Sequence, residues 1–358
     1  MTESIFETYQ ALHSMRNAPY TTVTALAELI DNSLQNDAKN IKVFGGFEKK
    51  STRGGARNYI QSIGIYDDGK GMDIETLKQC LKVGFSRHKE ELNGLGKFGF
   101  GLSIASLSQA YRVEVYSWQN SGDIMYTYLD LDEIKDKKID GISEPEKINM
   151  YPYMGQKYLP KTESGTVVLW SKLDQNKLEV QTERGIVNNL DEDLGRIYRH
   201  FLDDDETYGN KVKLSLMAFD DQFDLINSKD VLPNDPMYIL TPNRLPSYEN
   251  KDYKNEAIFT EFNTHSIPVQ YEDDQGKTKE SNVEIKITRI KASVFAELRK
   301  GAKNPGNTPV GKELAKNQGV SIVRAGREIK LDDSWCIPET TERWWGCEIR
   351  FEPVLDKF

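Results

Sequence analysis

The chain has 358 residues, of which 38% are hydrophobic and 29% are charged, and its formal net charge is −9. These values are typical of a soluble globular protein long enough for two domains. The acidic balance argues against attraction of the whole chain to nucleic acid or anionic membranes. Cys80, Cys336 and Cys347 are far apart and lack metal-type spacing, so we expect a reducing compartment, the cytoplasm. No apolar run is long enough to cross a bilayer.

Helix and strand patterns alternate through the N-terminal half. Apolar residues at helical spacing predict a helix over residues 21–37. Asp73 is placed to cap a short helix, and a glycine-rich charged loop over residues 84–101 leads into an apolar helix. Strands are predicted at residues 41–44, 59–66, 111–118, 124–131 and 166–170. This mixture predicts an α+β fold in which helices cover one face of a sheet.

A polar, charged segment over residues 174–185 marks the predicted domain boundary. We therefore predict a first domain over residues 1–175 and a smaller α/β domain over residues 176–358. The second domain is predicted to contain a helix at 190–202, strands at 212–218 and 283–290, and a strand–turn–strand at 319–329. Residues 344–351 alternate like a strand close to the end of the chain, so we expect the chain to be part of a longer protein.

The first chemical motif is ELIDN, which places Glu28 and Asn32 one helical turn apart on the first predicted helix. Both side chains then project from one side of that helix. A carboxylate there can orient or deprotonate a water molecule, and an amide oxygen one turn along can bind a magnesium ion. A solvated helix face is the simpler interpretation of the same two residues.

The second motif, DDGKGM, follows directly after a predicted strand and contains Asp67, Gly69, Gly71 and Met72. An aspartate at a strand end can accept a hydrogen bond from the exocyclic amine of adenine. The glycines allow a turn and a close approach of the backbone to a ligand. An ordinary surface turn would also contain Asp-Gly.

The third motif, GLGKFGFG over residues 94–101, precedes an apolar helix. Backbone amides of such a loop, and of the helix start after it, can bind phosphate groups. The charged residues before the motif exclude a dinucleotide-binding fold, because that fold requires a buried strand there. The chain also lacks the Walker sequence G-x-x-x-x-G-K-[ST]. A flexible glycine-rich loop without a ligand remains the alternative.

The fourth motif is Ser164-Gly165-Thr166 at the start of a predicted strand. A threonine hydroxyl at a strand start can bind a water molecule or the edge of an adenine ring. β-Branched residues are also common in strands for reasons of packing alone.

In order, spacing and local structure, the four motifs resemble the nucleotide site of the GHKL ATPase superfamily, which includes gyrase, heat-shock chaperones, histidine kinases and MutL. The resemblance covers about residues 21–173. It implies a Bergerat-type α/β sandwich that binds ATP and Mg²⁺, with Glu28 as general base, Asn32 as magnesium ligand and Asp67 as adenine acceptor. It also implies a base pocket shaped by Gly69, Gly71, Met72, Phe98 and Thr166. The implied lid and phosphate loop contains Gly94, Gly96, Lys97, Gly99 and Gly101.

Within the superfamily, GFSRHK at residues 84–89 and SGTVVLW at 164–170 are similar to the Microrchidia (MORC) and heat-shock chaperone branch. In that branch a second α/β domain, the transducer, supplies a lysine or arginine to the γ-phosphate. Residues 313–329 resemble the part of the transducer that supplies this residue. Lys316 is therefore the candidate for the γ-phosphate contact, and Lys312 is the second candidate. A solvated lysine in a polar loop is the alternative.

The resemblance implies an ATP-hydrolysing, ATP-gated clamp or chaperone-like machine that forms an ATP-dependent homodimer and acts on a protein client or partner. An ATP-sensing scaffold is a second hypothesis. A histidine-kinase-like signalling protein is a third, but it would need a phosphorylated histidine before the ATP domain, where the sequence offers only His13. The acidic chain does not support DNA binding by charge.

Overall fold

The computed structural model describes residues 7–52, 55–84, 101–153, 158–203, 211–273, 275–337 and 341–356. The chain divides into two compact units. The first comprises Met1–Asp191 and Val212–Asp230, and the second Glu192–Lys211 and Val231–Phe358. In the parts that the structure describes, no helix is long and apolar enough to cross a membrane.

An eight-stranded sheet organises the first unit. Its strands are β1 (Asn40–Thr52), β2 (Gly55–Asp67), β3 (Ala110–Trp118), β4 (Ile124–Asp130), β5 (Glu146–Ile148), β6 (Gly165–Leu173), β7 (Lys213–Phe219) and β8 (Leu225–Asp230). Their order across the sheet is β5-β4-β3-β6-β2-β1-β7-β8. Neighbouring strands are antiparallel except for β1 and β7, which are parallel. The motif-bearing strands β2, β3 and β6 are therefore neighbours near the middle of the sheet.

The predicted helix over residues 21–37 is present as α2 and carries the first motif. The helices that begin in this unit are α1 (Thr8–Met15), α2 (Thr22–Gln35), α3 (Ile74–Leu77), α4 (Ser106–Gln109), α5 (Leu131–Lys135) and α6 (Leu190–Ile197). Thr21 caps α2 by accepting a hydrogen bond from the N–H of Thr24, whose side chain accepts one in return from the N–H of Thr21. A π-helical turn, Gly101–Ala105, leads directly into α4.

The two faces of the large sheet differ in chemistry. Side chains alternate between faces along a strand, so Tyr66 of β2 and Trp118 of β3 point away from the face that bears Asp67. Both rings belong to a buried aromatic cluster, in which Trp118 stacks on Tyr151 at a centroid distance of 5.4 Å. The opposite face meets α2, because Ser33 of that helix hydrogen-bonds to Asp67. The second motif is thereby enclosed between sheet and helix.

A five-stranded sheet organises the second unit. Its strands are β9 (Phe259–Glu272), β10 (Thr278–Ile290), β11 (Val320–Arg324), β12 (Arg327–Asp332) and β13 (Trp345–Phe351), in the order β12-β11-β13-β10-β9. The helices of this unit are α7 (Arg199–Leu202), α8 (Ala292–Gly301) and α9 (Pro309–Lys316). A large, mainly antiparallel sheet followed by a smaller one confirms the predicted α+β class.

Helix α7 is joined to the second sheet by buried charges. The Arg199 side chain is fully buried. Its guanidinium donates to Glu328 at 2.7 Å, to Ser321 at 2.6 Å and to Glu348, and its Nε lies 3.6 Å from an oxygen of Asp235. The predicted helix at 190–202 is thus two helices, of which the second carries the central cation of this unit.

Candidate functional site

Asp67 lies at the end of β2, with only 7% of the residue exposed. Its carboxylate oxygens accept hydrogen bonds from the Ser33 hydroxyl and from the backbone N–H of Gly69, both at 2.9 Å. Burial raises the pKa of Asp67 to about 6, although hydrogen bonds from Gly69, Ser33 and the backbone N–H of Thr166 favour the ionised form. Among the described residues, no lysine or arginine forms an ion pair with it. Asp67 is therefore a buried hydrogen-bond acceptor without a paired cation among the described residues.

The two glycines of the second motif are required by close packing. A methyl group on Gly69 would come within 2.7 Å of the carbonyl oxygen of Asn36, at the end of α2. Gly71 has a φ of +65°, which favours glycine, and a methyl group there would come within 2.1 Å of the carbonyl oxygen of Trp118. These contacts hold the turn after Asp67 between α2 and β3.

Ser117 of β3 connects the second and fourth motifs. Its Oγ accepts a hydrogen bond from the N–H of Met72 at 2.8 Å and donates one to the carbonyl oxygen of Gly165 at 3.0 Å. The same oxygen lies 3.1 Å from the hydroxyl of Thr166. Thr166 in turn lies directly opposite Asp67 in the antiparallel β2–β6 ladder. The predicted residues Asp67, Met72 and Thr166 therefore form one cluster.

Glu28 and the end of the third motif are also close together. Glu28 is half-buried on α2, and a methyl group on Gly101 would come within 2.4 Å of its Oε2. Asn32 lies one turn further along α2 and is likewise half-buried. Since Ser33 on the same helix contacts Asp67, α2 connects the candidate base, the candidate magnesium ligand and the candidate adenine acceptor.

The remaining predicted residues fall outside the described residues or belong to the second unit. Most of the third motif falls outside the described residues: Gly94, Gly96, Lys97, Phe98 and Gly99. Lys316 ends α9 in the second unit, where its ammonium lies 3.2 Å from Glu192 and 3.1 Å from Glu313. Burial lowers the pKa of Lys316, but the two carboxylates outweigh it and raise that pKa. Lys316 is therefore a cation at neutral pH.

Two residues of this cluster, Ser33 and Ser117, are absent from the predicted set. Ser33 directly follows ELIDN and is buried, so extending the motif by one position would have included it. Ser117 shares a sheet face with the buried Val113 and Val115. A serine at a position where an apolar core residue is expected was the available signal.

Comparison with known proteins identifies a family that matches the part of the chain containing this cluster. Residues 20–166 match the family of histidine kinase-, DNA gyrase B-, and HSP90-like ATPases. Residues 20–166 form a GHKL ATPase-family domain. It contains Glu28, Asn32, Asp67, Gly101 and Thr166, and the recognition made from the motifs is confirmed.

This GHKL domain is similar in sequence to Microrchidia proteins. Protein MICRORCHIDIA 7 of Arabidopsis thaliana is 29% identical over 128 residues, and MICRORCHIDIA 6 of the same plant is 31% identical over 126. Each match covers 33% of this chain and 18% of the relative, so this chain matches under a fifth of the relatives' length. A solved structure of the N-terminal domain of a DNA repair protein aligns over 96% of this chain and 88% of its own, with a TM-score of 0.48 and 12% identity. That likeness is too weak to bear on function.

Proposed function

We propose that this protein binds ATP in its GHKL domain and hydrolyses it to ADP and phosphate. The observation that carries the proposal is the buried Asp67 carboxylate, which is enclosed by Ser33, Gly69 and Thr166 without a cation among the described residues. Keeping such a carboxylate buried is costly. A ligand that donates hydrogen bonds to it, as the adenine amine does, would offset that cost.

Glu28 is proposed to act on the attacking water. It is half-buried and lies against Gly101, the last residue of the proposed phosphate loop. A carboxylate in that place can orient or deprotonate a water molecule beside the phosphates. The position of Glu28 is therefore consistent with the general-base role that the resemblance implies for it.

A magnesium ion is proposed to be held mainly through the nucleotide. The described residues contain no cluster of three or more His, Cys, Asp or Glu side chains that could hold a metal alone. Mg²⁺ in phosphate sites commonly keeps several waters and takes few protein ligands, so the Asn32 amide oxygen one turn from Glu28 would be sufficient. When bound, the ion would neutralise phosphate charge.

The other assignments rest on the family resemblance. We propose that residues 1–175 hold the nucleotide and that Gly69, Gly71, Met72 and Phe98 shape the base pocket. We propose that the lid and phosphate loop contains Gly94, Gly96, Lys97, Gly99 and Gly101. Residues 176–358 would act as a transducer in which Lys316 reaches the γ-phosphate, with the cytoplasm as compartment.

A substitution at Glu28 tests the enzymatic proposal. Glu28→Ala should retain ATP binding in calorimetry but hydrolyse ATP about 10²-fold more slowly, the usual scale for a lost general base. Glu75→Ala, which removes an exposed carboxylate from the first turn of α3, is the matched control and should match the parent. Hydrolysis by Glu28→Ala at the parent rate would refute the assignment. ATP binding without turnover by the parent protein would favour the ATP-sensing scaffold.

The clamp proposal has a separate test. An ATP-gated clamp should dimerise when a non-hydrolysable ATP analogue is bound, and light scattering measures this directly. A molecular mass that stays monomeric at saturating analogue and micromolar protein would contradict it. Lys316→Ala should slow turnover and leave ADP binding intact, because ADP has no γ-phosphate for the lysine to contact.

A further inference from the structure

The hydroxyl of Ser117 has three hydrogen-bonding neighbours. The residue is completely buried. Three groups surround its Oγ: the N–H of Met72 at 2.8 Å, the carbonyl oxygen of Gly165 at 3.0 Å and the Oγ1 of Thr166 at 3.1 Å. A hydroxyl has one proton to donate and two lone pairs that accept. These three neighbours therefore use its whole capacity.

The chemistry of the neighbours decides the direction of these bonds. An N–H can only donate, so Met72 donates to Ser117. A carbonyl oxygen can only accept, whereas the contact with Thr166 can run in either direction, so we assign the single proton of Ser117 to the nearer carbonyl oxygen of Gly165. The contact with Thr166 is then favourable only if Thr166 donates its own proton to Ser117. The hydroxyl of Thr166 is left with lone pairs alone for any other partner.

This arrangement places two acceptors next to each other. Thr166 and Asp67 are directly opposite residues of neighbouring antiparallel strands, a geometry that puts their β-carbons about 5 Å apart on one face. Ionised Asp67 is an acceptor with no proton to give. A ligand edge that presents N–H groups complements this pair, whereas a carbonyl oxygen faces two oxygens and finds no proton.

We propose that Ser117 is a positioning residue that makes the base site selective for purines with an amine at position 6 over purines with a carbonyl there. It would do so by holding the proton of Thr166 away from the ligand. The inference rests on the proposed function, since it concerns the base of the nucleotide proposed above. It adds a residue outside the predicted site, and a physical reason for its effect on specificity.

The test compares ATP with inosine triphosphate (ITP), which differs at position 6 and in the protonation of the neighbouring ring nitrogen. Dissociation constants for both nucleotides would be measured by calorimetry, and the ratio of the two is the readout. In Ser117→Ala the Thr166 hydroxyl loses its inward acceptor and can turn its proton toward a carbonyl. We expect the preference for ATP over ITP to fall about tenfold, the scale of one hydrogen bond. A loss of packing alone would weaken both nucleotides and leave the ratio unchanged.

Ser62→Ala is the matched control. Ser62 is also a buried serine of the large sheet, but it bonds to Tyr153 and shares a face with the aromatic cluster. Its removal should leave the ratio at the parent value. Ser117 is proposed to act through the hydroxyl of Thr166, so its effect should disappear in Thr166→Val. The single variant Thr166→Val and the double variant Thr166→Val/Ser117→Ala should therefore have the same ratio of ATP and ITP dissociation constants.

If Ser117→Ala does not fold, Ser117→Cys and Thr166→Ser provide the same comparison. Cysteine is a weak acceptor and should reduce the ratio, whereas Thr166→Ser keeps the hydroxyl and should preserve it. An unchanged ratio in Ser117→Ala or Ser117→Cys, with ATP still bound by the parent, overturns this inference alone. Failure of the parent protein to bind ATP overturns the proposed function, and this inference with it.

Discussion

Two buried carboxylates, one in each unit, are stabilised in opposite ways. In the first unit Asp67 is surrounded by a hydroxyl and backbone N–H groups, and burial raises its pKa to about 6. In the second unit Glu348 is also buried, and burial alone would raise its pKa. The neighbouring Arg199 and His200 outweigh burial there, and the pKa lies well below its usual value. The same desolvation cost is thus offset by cations at Glu348 and left largely in place at Asp67.

This difference is what we expect between a structural cluster and the proposed binding site. The charges around Arg199 neutralise one another inside the second unit, where the guanidinium bonds to Glu328, Glu348 and Ser321. Asp67 has no paired cation among the described residues. Strongly perturbed carboxylates without a compensating cation are typical of functional sites, and the predictions below test whether this contrast holds.

The largest effect is expected at Arg199. Arg199→Ala would leave the buried carboxylates of Glu328 and Glu348 without their shared cation, and breaking such a pair costs about 3–5 kcal/mol. Hydrogen exchange in peptides from β11 to β13 should speed up, while exchange in β2 and β3 stays at the parent rate. Arg196→Ala, which removes a more exposed partner of Glu328, should cost clearly less. Equal effects of the two variants would contradict the central role of Arg199.

The next largest effect on stability is expected at Asp67, where a substitution should stabilise the protein. Asp67→Asn should stabilise the nucleotide-free first unit, because a rise in pKa from 3.8 to about 6 represents a cost of up to about 3 kcal/mol at neutral pH. The amide can still accept from Gly69 and donate to Ser33, whose hydroxyl also contacts the carbonyl oxygen of Leu29. Thermal unfolding measures the gain. A lower melting temperature would show that Asp67 stabilises the fold.

The same substitution should weaken nucleotide binding. An adenine amine would meet an N–H instead of an oxygen, which should cost about 1–3 kcal/mol. Calorimetry with ATP is the measurement. If the variant is more stable but binds ATP as well as the parent, burial of the Asp67 charge is costly as expected, but Asp67 does not contact the nucleotide.

The pH dependence of stability should also differ between Asp67 and Glu348. The folded-state pKa of Asp67 is raised, so its stabilising contribution is complete below about pH 3.8 and is lost as the pH rises through about 6. The stability advantage of Asp67→Asn over the parent should therefore shrink between pH 7 and 5. The pKa of Glu348 is depressed below 4.5, so its contribution is present above pH 4.5 and is lost as the pH falls further. Urea unfolding at several pH values would detect both trends, and a constant Asp67→Asn difference would contradict the first.

The smallest effect is expected at Ser33. Ser33→Ala removes one hydrogen bond from Asp67 and should destabilise the first unit by about 1 kcal/mol. It should also raise the pKa of Asp67 further, since that bond favours the ionised form. The midpoint of the pH effect described above would then move to higher pH. An unchanged midpoint would mean that Ser33 does not stabilise the ionised carboxylate.

Much of the local structure could be predicted because its causes lie close together in the sequence. Helix α2 begins at Thr22, within one residue of the predicted start, because Thr21 and Thr24 form the cap. The strands β2, β3 and β6 overlap their predicted ranges, since each is a continuous apolar or alternating run. The family recognition succeeded for the same reason, as ELIDN, DDGKGM and GLGKFGFG are each contiguous.

Other features depend on residues far apart in the chain. Residues 213–219 return to the large sheet and pair in parallel with β1, although nothing in their own alternation specifies that neighbour. The broken helix at 190–202 also follows from tertiary contacts, because Arg199 is directed to carboxylates of β12 and β13. A periodic pattern predicts an element but does not select its partner.

The sequence by itself determined which residue types are available at the proposed site: a carboxylate after a strand, glycines where the backbone approaches closely, and a second carboxylate and an amide one turn apart on a helix. Their spacing is local, so it can be recognised without the fold. Only the tertiary structure decided that Ser33 reaches Asp67 and that Ser117 joins Met72 to Thr166. Those bonds depend on the register of β2, β3 and β6, and a shift of one residue would turn Asp67, Ser117 or Thr166 to the opposite face. Register is set by packing across the whole sheet, which no short segment of the sequence contains.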